Sequence, residues 1–254
     1  MSVFVQQSGS VCEFSNSDSW VILSPIEQSI KRKIEAVGTP LKNWDIQINY
    51  GIKTGFNDAF IINTEKRDEI LSNCQTEEER TRTAELIRPI LRGRDIKRYG
   101  YNWDGLYLIA TFPSRHYDIE KYPAVKNYLL GFGIERLEQT GKSHIVNGEK
   151  IKARKKTNNK WFETQDSISY WEDFSKPKIM YPNMTKYIPF YFDEKNFLQN
   201  DKSFMITGKH IAYLTAFLNS SIFKFCFLDK FPELQGGTRE LRKIFFDKIP
   251  VLKV

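Results

Sequence analysis

Two glycines frame a lysine and a threonine in the stretch GIKTGFNDAF, residues 51–60. A phosphate-binding P-loop needs Gly-x4-Gly-Lys-Ser/Thr, whereas here three residues separate Gly51 from Gly55 and Phe56 follows. The G-x-G-x-x-G fingerprint of dinucleotide-binding loops is absent as well. The spacing alone favours a hairpin turn between two strands, in which Gly55 has a positive φ angle and the following Asn-Asp pair caps the return.

Positive charge is concentrated in the middle third of the chain. The whole chain has a net charge of +7, and residues 86–160 hold 16 Lys/Arg against 7 Asp/Glu, a local net charge of +9. Two segments carry much of it, RPILRGRDIKRYG (88–100) and KIKARKKTNNKW (150–161). Lysine and arginine neutralise phosphates, and amide side chains beside them can reach base edges. These segments predict a DNA contact, with a solvated surface loop as the alternative. The candidate DNA-binding residues are Lys53, Thr54, Asn57, Arg92, Arg94, Lys97, Arg98, Lys152, Arg154, Lys155, Lys156, Asn158 and Asn159.

Catalytic and metal-binding patterns are weak. Asp193-Glu194-Lys195, with Asp173 upstream, partly matches the acid-x-Lys half of a metal-dependent nuclease site, but such tripeptides are common by chance. No zinc-ligand spacing and no disulfide framework is visible, which fits a reducing compartment. The cysteines and histidines are Cys12, Cys74, Cys226, His116, His144 and His210. We therefore expect no catalytic residue and no metal site.

Local signals place these residues on a mixture of helices and strands. Ser24, Pro25 and Glu27 predict a capped helix that ends at Gly38. Its apolar stripe is formed by Ile26, Ile30, Ile34 and Val37. Further helices are predicted over 76–87, over 122–132 and from about Lys209. Strands are predicted over 44–50, 59–62, 106–112 and in KPKIMYPNM and YIPFYF, with a loop or hairpin over 140–160. Because helices and strands do not alternate regularly, the predicted fold class is α+β, a mixed sheet with packed helices and a helical C-terminal part.

With 254 residues and 41% apolar content, the chain can form one large domain. The polar, Ser-rich residues 1–19 are predicted to be a leader or linker, and residues 20–254 the domain itself. No signal peptide is visible. The apolar stretch 211–228 is interrupted by Asn, Ser and Lys, so it predicts a buried helix and no membrane contact.

The order of these segments resembles one family, the TaqI-like C-terminal specificity domain. This is the target-recognition domain of DNA adenine methyltransferases and type IIG restriction-modification enzymes. The resemblance extends from about Trp20 to Val254. GIKTGFNDAF, followed by LRGRDIKRY and later LNS, is its most specific part. The other matching pieces are KIEAVGTPLKNWDI, LYLIATF, YPAVKNYL, WFET, KPKIMYPNM, YLTAFLNSSIFKFCF and KIPV.

The resemblance implies a module that reads double-stranded DNA in the cytoplasm of a bacterium or archaeon. The implied partner is an adenine-N6 methyltransferase domain, elsewhere in the parent chain or on a partner subunit. That domain would use S-adenosylmethionine, and a restriction member would add a nuclease with Mg²⁺. This chain lacks the Asn-Pro-Pro-Tyr motif, for which the nearest string is Tyr181-Pro182-Asn183-Met184. It also lacks F-x-G-x-G, since Gly131-Phe132-Gly133 does not fit. We therefore expect no enzyme activity and no cofactor in this chain itself.

Three alternatives remain at this level. The chain could be a specificity subunit of a type I system, although GIKTGFNDAF has no second copy and no long heptad helix is present. It could be a metal-dependent nuclease that uses Asp173, Asp193 and Lys195. It could also be an interaction domain that docks through an aromatic C-terminal helix carrying Phe217, Phe223, Phe225 and Phe227.

Overall fold

A computed structural model describes residues 24–252 of the chain, without the side chains of residues 226–229. The leader predicted over residues 1–19 lies outside the described residues. The helices are α1 Pro25–Val37, α2 Asn57–Phe60, α3 Thr64–Ser72, α4 Glu77–Leu86, α5 Pro123–Leu130, α6 Ile134–Leu137, α7 Ile211–Leu218, α8 Ser221–Lys230 and α9 Lys243–Phe246. The strands are β1 Thr39–Pro40, β2 Ile46–Tyr50, β3 Ile61–Asn63, β4 Ile87–Leu91, β5 Ile96–Lys97, β6 Gly100–Tyr101, β7 Leu106–Ile109, β8 Ser143–Val146, β9 Glu149–Lys152, β10 Lys178–Pro182, β11 Met184–Thr185, β12 Tyr191–Asp193, β13 Leu198–Gln199, β14 Ser203–Gly208, β15 Arg239–Glu240 and β16 Pro250–Val251.

Two four-stranded sheets form the frame of the molecule. The first sheet has the strand order β12-β10-β14-β2, and its strands are antiparallel. The second sheet has the order β13-β4-β7-β3, in which β13 and β4 run parallel. Two-stranded ribbons pair β1 with β16, β5 with β6, β8 with β9 and β11 with β15. The combination of mixed sheets and packed helices confirms the α+β fold class.

Each sheet packs against its own hydrophobic core. The core of the second sheet includes buried residues of α3, α4 and α5, whereas the core of the first sheet includes buried residues of α7, α8 and α9. A third, smaller cluster joins strands of both sheets, because it contains β4 and β10 residues together. Its buried members are Leu91, Ile96, Met180, Tyr191 and Phe197.

Locally encoded elements lie close to their predicted positions. The Ser24 hydroxyl accepts from the Glu27 amide, and the Glu27 carboxylate accepts from the Ser24 amide at 2.7 Å, so the predicted capping box of α1 is present. Helix α4 is capped by the Thr76 hydroxyl, which accepts from the Glu79 amide, while the Glu79 carboxylate accepts from the Gln75 amide. A hairpin forms within 140–160. The apolar stripe of α1 remains largely exposed, since Ile26 and Val37 lie open to solvent.

The hairpin predicted across GIKTGFNDAF is wrong. The φ angle of Gly55 is +77°, as predicted, but β2 pairs with β14 while β3 pairs with β7. The stretch therefore links the two sheets, and its Asn-Asp pair opens the short helix α2. Alternating apolar residues specify a strand, whereas its partner is chosen by packing with distant segments.

The C-terminal helix is divided in two. It begins at Ile211 and breaks at Asn219, whose side-chain amide donates to the Phe190 carbonyl at 2.9 Å. Phe223 is completely buried and Phe217 packs against the same core, so these two rings form no exposed docking patch. The Phe227 side chain lies outside the described residues. Across 24–252, no helix combines the length and apolarity that a membrane crossing requires.

Candidate nucleic-acid interface

The turn between β2 and α2, residues 51–57, is fixed by close backbone contact with the segment 199–203. The Gly51 amide donates to the Ser203 carbonyl at 2.8 Å, and the Ile52 amide donates to the Gln199 carbonyl at 2.7 Å. A Cβ atom on Gly51 would lie 2.0 Å from the Asn200 carbonyl oxygen, so a side chain has no room there. Glycine at this position therefore serves backbone approach and not phosphate binding.

Replacing Gly51 with alanine is expected to lower the free energy of unfolding by about 1–3 kcal/mol, because the turn must move away from Asn200. Urea denaturation measures the change. Gly100→Ala is the matched control, since a Cβ atom there meets nothing within 4 Å. Equal stability of the two variants would show that the turn adapts freely.

Side-chain hydrogen bonds inside this turn determine what it presents to solvent. Thr54 is 1% exposed, and its hydroxyl donates to Asn57 Oδ1 at 2.7 Å while accepting from the Phe56 amide. Lys53 and Asn57 are exposed. The buried Thr54 thus orients the Asn57 side chain. Of these three candidates, only Lys53 and Asn57 can contact a ligand directly.

Arg154 is buried beneath the candidate interface and connects the segments that form it. It is 4% exposed, and its guanidinium donates to the carbonyls of Leu137, Thr54, Glu163 and Trp161 at 2.5–2.9 Å. Burial lowers its pKa to about 10. The guanidinium is occupied by carbonyl groups, so Arg154 positions the surrounding segments and does not face a DNA phosphate.

The turn and the second basic segment meet beside Asp166. The Gln165 amide donates to the Lys53 carbonyl at 3.0 Å. The Arg154 guanidinium donates to the Thr54 carbonyl at 2.9 Å, so the exposed Lys53 and Lys155 are the chain neighbours of two residues in direct contact. Burial raises the pKa of Asp166, and the positive charges of Lys53 and Lys155 act against that shift. Two lysines distant in sequence therefore share one surface.

The remaining candidates of the second segment divide by exposure. Lys152, Lys156 and Asn158 are exposed. The side-chain amide of Asn159 donates to the Thr164 and Gln165 carbonyls at 3.2 and 2.9 Å. Asn159 thus shapes the loop, and the three exposed residues are available to a ligand.

In the first basic segment, 88–100, two of the four candidate side chains, Arg92 and Arg98, bind other groups of the chain. Arg92 forms a bidentate pair with Asp95 and a further ion pair with Asp104, and these carboxylates raise its pKa. Arg98 donates to the Asn219 carbonyl at 2.6 Å. Arg94 and Lys97 are exposed, and the Lys97 ammonium donates to the Arg94 carbonyl.

The turn 51–57 and the first basic segment converge on Asn200. Its side-chain oxygen accepts from the Gly93 amide at 3.3 Å, while its backbone carbonyl lies against Gly51. Lys202, two residues later, is exposed between them. Sequence reasoning missed Lys202, because an isolated lysine gives no signal of long-range proximity.

Arg136 is a second residue that the sequence did not indicate. Its guanidinium lies 4.4 Å from the centroid of the Phe56 ring, beside the exposed Asn57. We call the exposed set the basic face: Lys53, Asn57, Arg94, Arg136, Lys155, Lys156 and Lys202. It combines six positive charges with an amide, which suits phosphate neutralisation next to base contacts.

The nuclease alternative receives no support from the described residues. Asp193 is completely buried and paired with the buried Lys178, and the Lys195 ammonium donates to the Tyr101 hydroxyl. Asp173 is bound to Lys176. No cluster of three His, Cys, Asp or Glu side chains that could hold a metal ion occurs in this part of the chain.

The two strings nearest to methyltransferase motifs lie on a buried strand and in a turn between two helices. Tyr181 is completely buried between β12 and β14, so its ring cannot stack on a flipped base. Gly131 and Gly133 lie in the turn that connects α5 to α6.

Comparison with known proteins agrees with this architecture. The family model of the TaqI-like C-terminal specificity domain matches residues 88–251, more than half of the chain. The stretch GIKTGFNDAF lies outside that match. No curated protein sequence matches the chain significantly.

Comparison with solved structures finds two restriction enzymes, of which the first is similar in fold. The crystal structure of the type IIG restriction endonuclease BpuSI is 13% identical, with a TM-score of 0.55, covering 90% of this chain and 26% of that chain. The type IIL restriction-modification enzyme MmeI, solved in complex with DNA, is 12% identical, with a TM-score of 0.46, covering 78% of this chain and 26% of that chain. The chain thus spans about a quarter of the length of either enzyme. On the family match, this chain belongs to the TaqI-like C-terminal specificity domains.

Proposed function

We propose that this chain is the sequence-specific duplex-DNA recognition module of a restriction-modification enzyme. The observation that carries the proposal is the basic face, where the exposed Lys53 and Lys155 flank the hydrogen bond between Arg154 and Thr54 although they lie far apart in sequence. The family match supports the same function independently. The lysines and arginines of this face hold phosphates and fix the position of the module on the duplex.

Asn57 is the side chain that we propose for reading a base. Asparagine recognises adenine by accepting from N6 and donating to N7. The Oδ1 atom of Asn57 accepts one hydrogen bond from Thr54 and keeps a second lone pair for a base. Thr54 therefore preorganises the amide, which lowers the conformational entropy lost on binding.

The catalytic functions lie outside this chain in our proposal. The parent enzyme is an adenine-N6 methyltransferase whose catalytic domain binds S-adenosylmethionine. If the parent enzyme also cleaves DNA, its nuclease domain uses Mg²⁺. The recognition domain extends over residues 20–254, and the parent acts in the cytoplasm. Its methyltransferase domain, in the same polypeptide or on a partner subunit, is the second partner after double-stranded DNA.

Removing three lysines from the basic face tests the DNA contact. Lys53→Ala combined with Lys155→Ala and Lys156→Ala is expected to weaken duplex binding. It should also make the slope of log K against log salt less steep by about 2–3, because each lost phosphate contact contributes about 0.9. Fluorescence anisotropy of a labelled duplex at several salt concentrations gives both values.

A control of equal charge comes from the α1 and β16 end of the molecule. Lys33, Lys42 and Lys248 are exposed there, and their triple alanine variant should keep the wild-type slope. The proposal fails if the wild-type chain binds no duplex, or if its affinity does not change with salt. It also fails if both triple variants show the same loss of duplex affinity and the same change in salt slope.

A further inference from the structure

The β8–β9 ribbon has one face that is entirely open to solvent. Its strands are joined by Asn147 and Gly148, whose φ angles of 50° and 82° are those of a tight hairpin turn. Ser143 pairs with Lys152, and Ile145 pairs with Lys150. Since paired residues share a face and alternate along each strand, these four side chains form the outer face. All four are exposed, and Ile145 is 81% exposed.

The inner face and the base of the ribbon are anchored. His144, Val146 and Ile151 on the inner face are partly buried, and His144 Nε2 lies 4.0 Å from a carboxylate oxygen of Glu138. At the base, the Gly141 amide donates to the Arg154 carbonyl at 2.8 Å. The ribbon is therefore held by the same arginine that supports the basic face, and its outer face has a defined orientation.

The composition of the outer face indicates the chemistry of its partner. A large aliphatic side chain with 81% exposure stands beside two lysines, and the next lysines along the chain are Lys155 and Lys156 of the basic face. A partner complementary to this face carries negative charges for the two lysines and small apolar groups between those charges for Ile145. The major groove of duplex DNA has this character, because phosphates line it and thymine presents its C5-methyl group there. Its width also admits a two-stranded β-ribbon.

We propose that the β8–β9 ribbon enters the major groove and that Ile145 contacts the C5-methyl group of a thymine. Lys150, the register partner of Ile145, faces the acceptors along the same groove, and Lys152 faces the phosphates near the base of the ribbon. Ile145 is thus a specificity-determining residue. This inference rests on the proposed function and adds a recognised base to it.

Replacing thymine with uracil tests the contact directly, since uracil lacks only the methyl group. Duplexes bound by the full chain are first selected from a randomised pool, and each thymine of the selected site is then replaced by deoxyuridine. At one thymine, the wild-type affinity should fall about fourfold, the effect of losing one buried methyl group. Ile145→Ala should bind the thymine duplex more weakly than wild type and should not distinguish thymine from uracil at that position. Because Ile145 is exposed, this variant should keep the wild-type melting temperature.

Ile244→Ala is the matched control, because Ile244 is an exposed isoleucine on α9; it should keep both the affinity and the discrimination. The inference is overturned if Ile145→Ala still distinguishes thymine from uracil, or if it loses affinity equally for every duplex. It is also overturned if no thymine of the site responds to uracil. Binding to anionic phosphatidylserine vesicles that Ile145→Ala abolishes, with DNA binding unchanged, would assign the ribbon to a lipid surface instead. If the wild-type chain selects no duplex at all, the proposed function fails together with this inference.

Discussion

Replacing Asp193 with alanine is expected to lower the free energy of unfolding by about 3–5 kcal/mol, because it leaves a buried ammonium without its carboxylate. Lys178 and Asp193 are both completely buried and form an ion pair. The Lys178 ammonium also donates to the Phe174 carbonyl, and Asp193 also accepts from the Phe197 amide at 3.1 Å. Urea denaturation monitored by tryptophan fluorescence measures the loss.

The pH dependence of this variant has a defined sign. Burial lowers the pKa of Lys178, and the carboxylate of Asp193 acts against that shift. Without the carboxylate, the folded-state pKa falls further below the unfolded value, so the unfolded chain binds more protons and stability rises with pH in that window. The deficit of Asp193→Ala relative to wild type should therefore shrink as the pH rises towards the ordinary lysine pKa of about 10.4.

Two controls separate the loss of the pair from general damage. Lys178→Met combined with Asp193→Leu removes both charges and should recover most of the lost stability. Asp45→Ala breaks an ion pair with Lys209 in which both side chains are exposed, so its unfolding midpoint should stay close to that of wild type. A wild-type midpoint for Asp193→Ala would contradict the assignment of a buried pair.

Arg154→Ala is expected to lower the free energy of unfolding by about 3–5 kcal/mol, because it removes charged hydrogen bonds to several buried carbonyls at once. Arg154→Lys should recover little, since one ammonium cannot reproduce the planar fork that reaches four carbonyls in three segments. Thermal and urea unfolding measure both variants. Lys155→Ala, at the exposed neighbouring position, should remain close to wild type.

A local measurement distinguishes the proposed positioning role of Arg154 from a general core role. The Gln165 amide donates to the Lys53 carbonyl, and Arg154 donates to the adjacent Thr54 carbonyl. In Arg154→Lys, hydrogen exchange at Gln165 should accelerate more than exchange within β10 of the first sheet. Uniform acceleration across the molecule would assign the residue a purely global role.

Locally encoded features were predictable from the sequence. The capping box of α1 needs only Ser24 and Glu27 at the correct spacing, and the β8–β9 turn needs only Asn147 and Gly148. In both cases, the stabilising contacts lie within a few residues of each other. The pattern of residue types therefore carries the structural information.

Features that depend on distant segments were not predictable in the same way. The alternation around Ile48 indicates a strand, but its pairing with Ile206 depends on the hydrophobic core between the first sheet and helices α7, α8 and α9. The basic run 150–161 contains Arg154 and Lys155 side by side, and charge alone does not show that one is buried and the other exposed. The packing of residues 54, 137 and 161–163 around residue 154 determines that Arg154 is the buried one.

The pairing of β2 with β14 has a consequence for the order of folding during synthesis. Ile48 leaves the ribosome long before its partner Ile206 has been made, whereas β3, β4 and β7 of the second sheet follow one another closely. Contacts of long sequence separation form slowly, because loop-closure entropy opposes them. The first sheet should therefore form late. Until β14 has been synthesised, β2 has no strand to pair with, and chaperones or other nascent chains can bind its exposed edges.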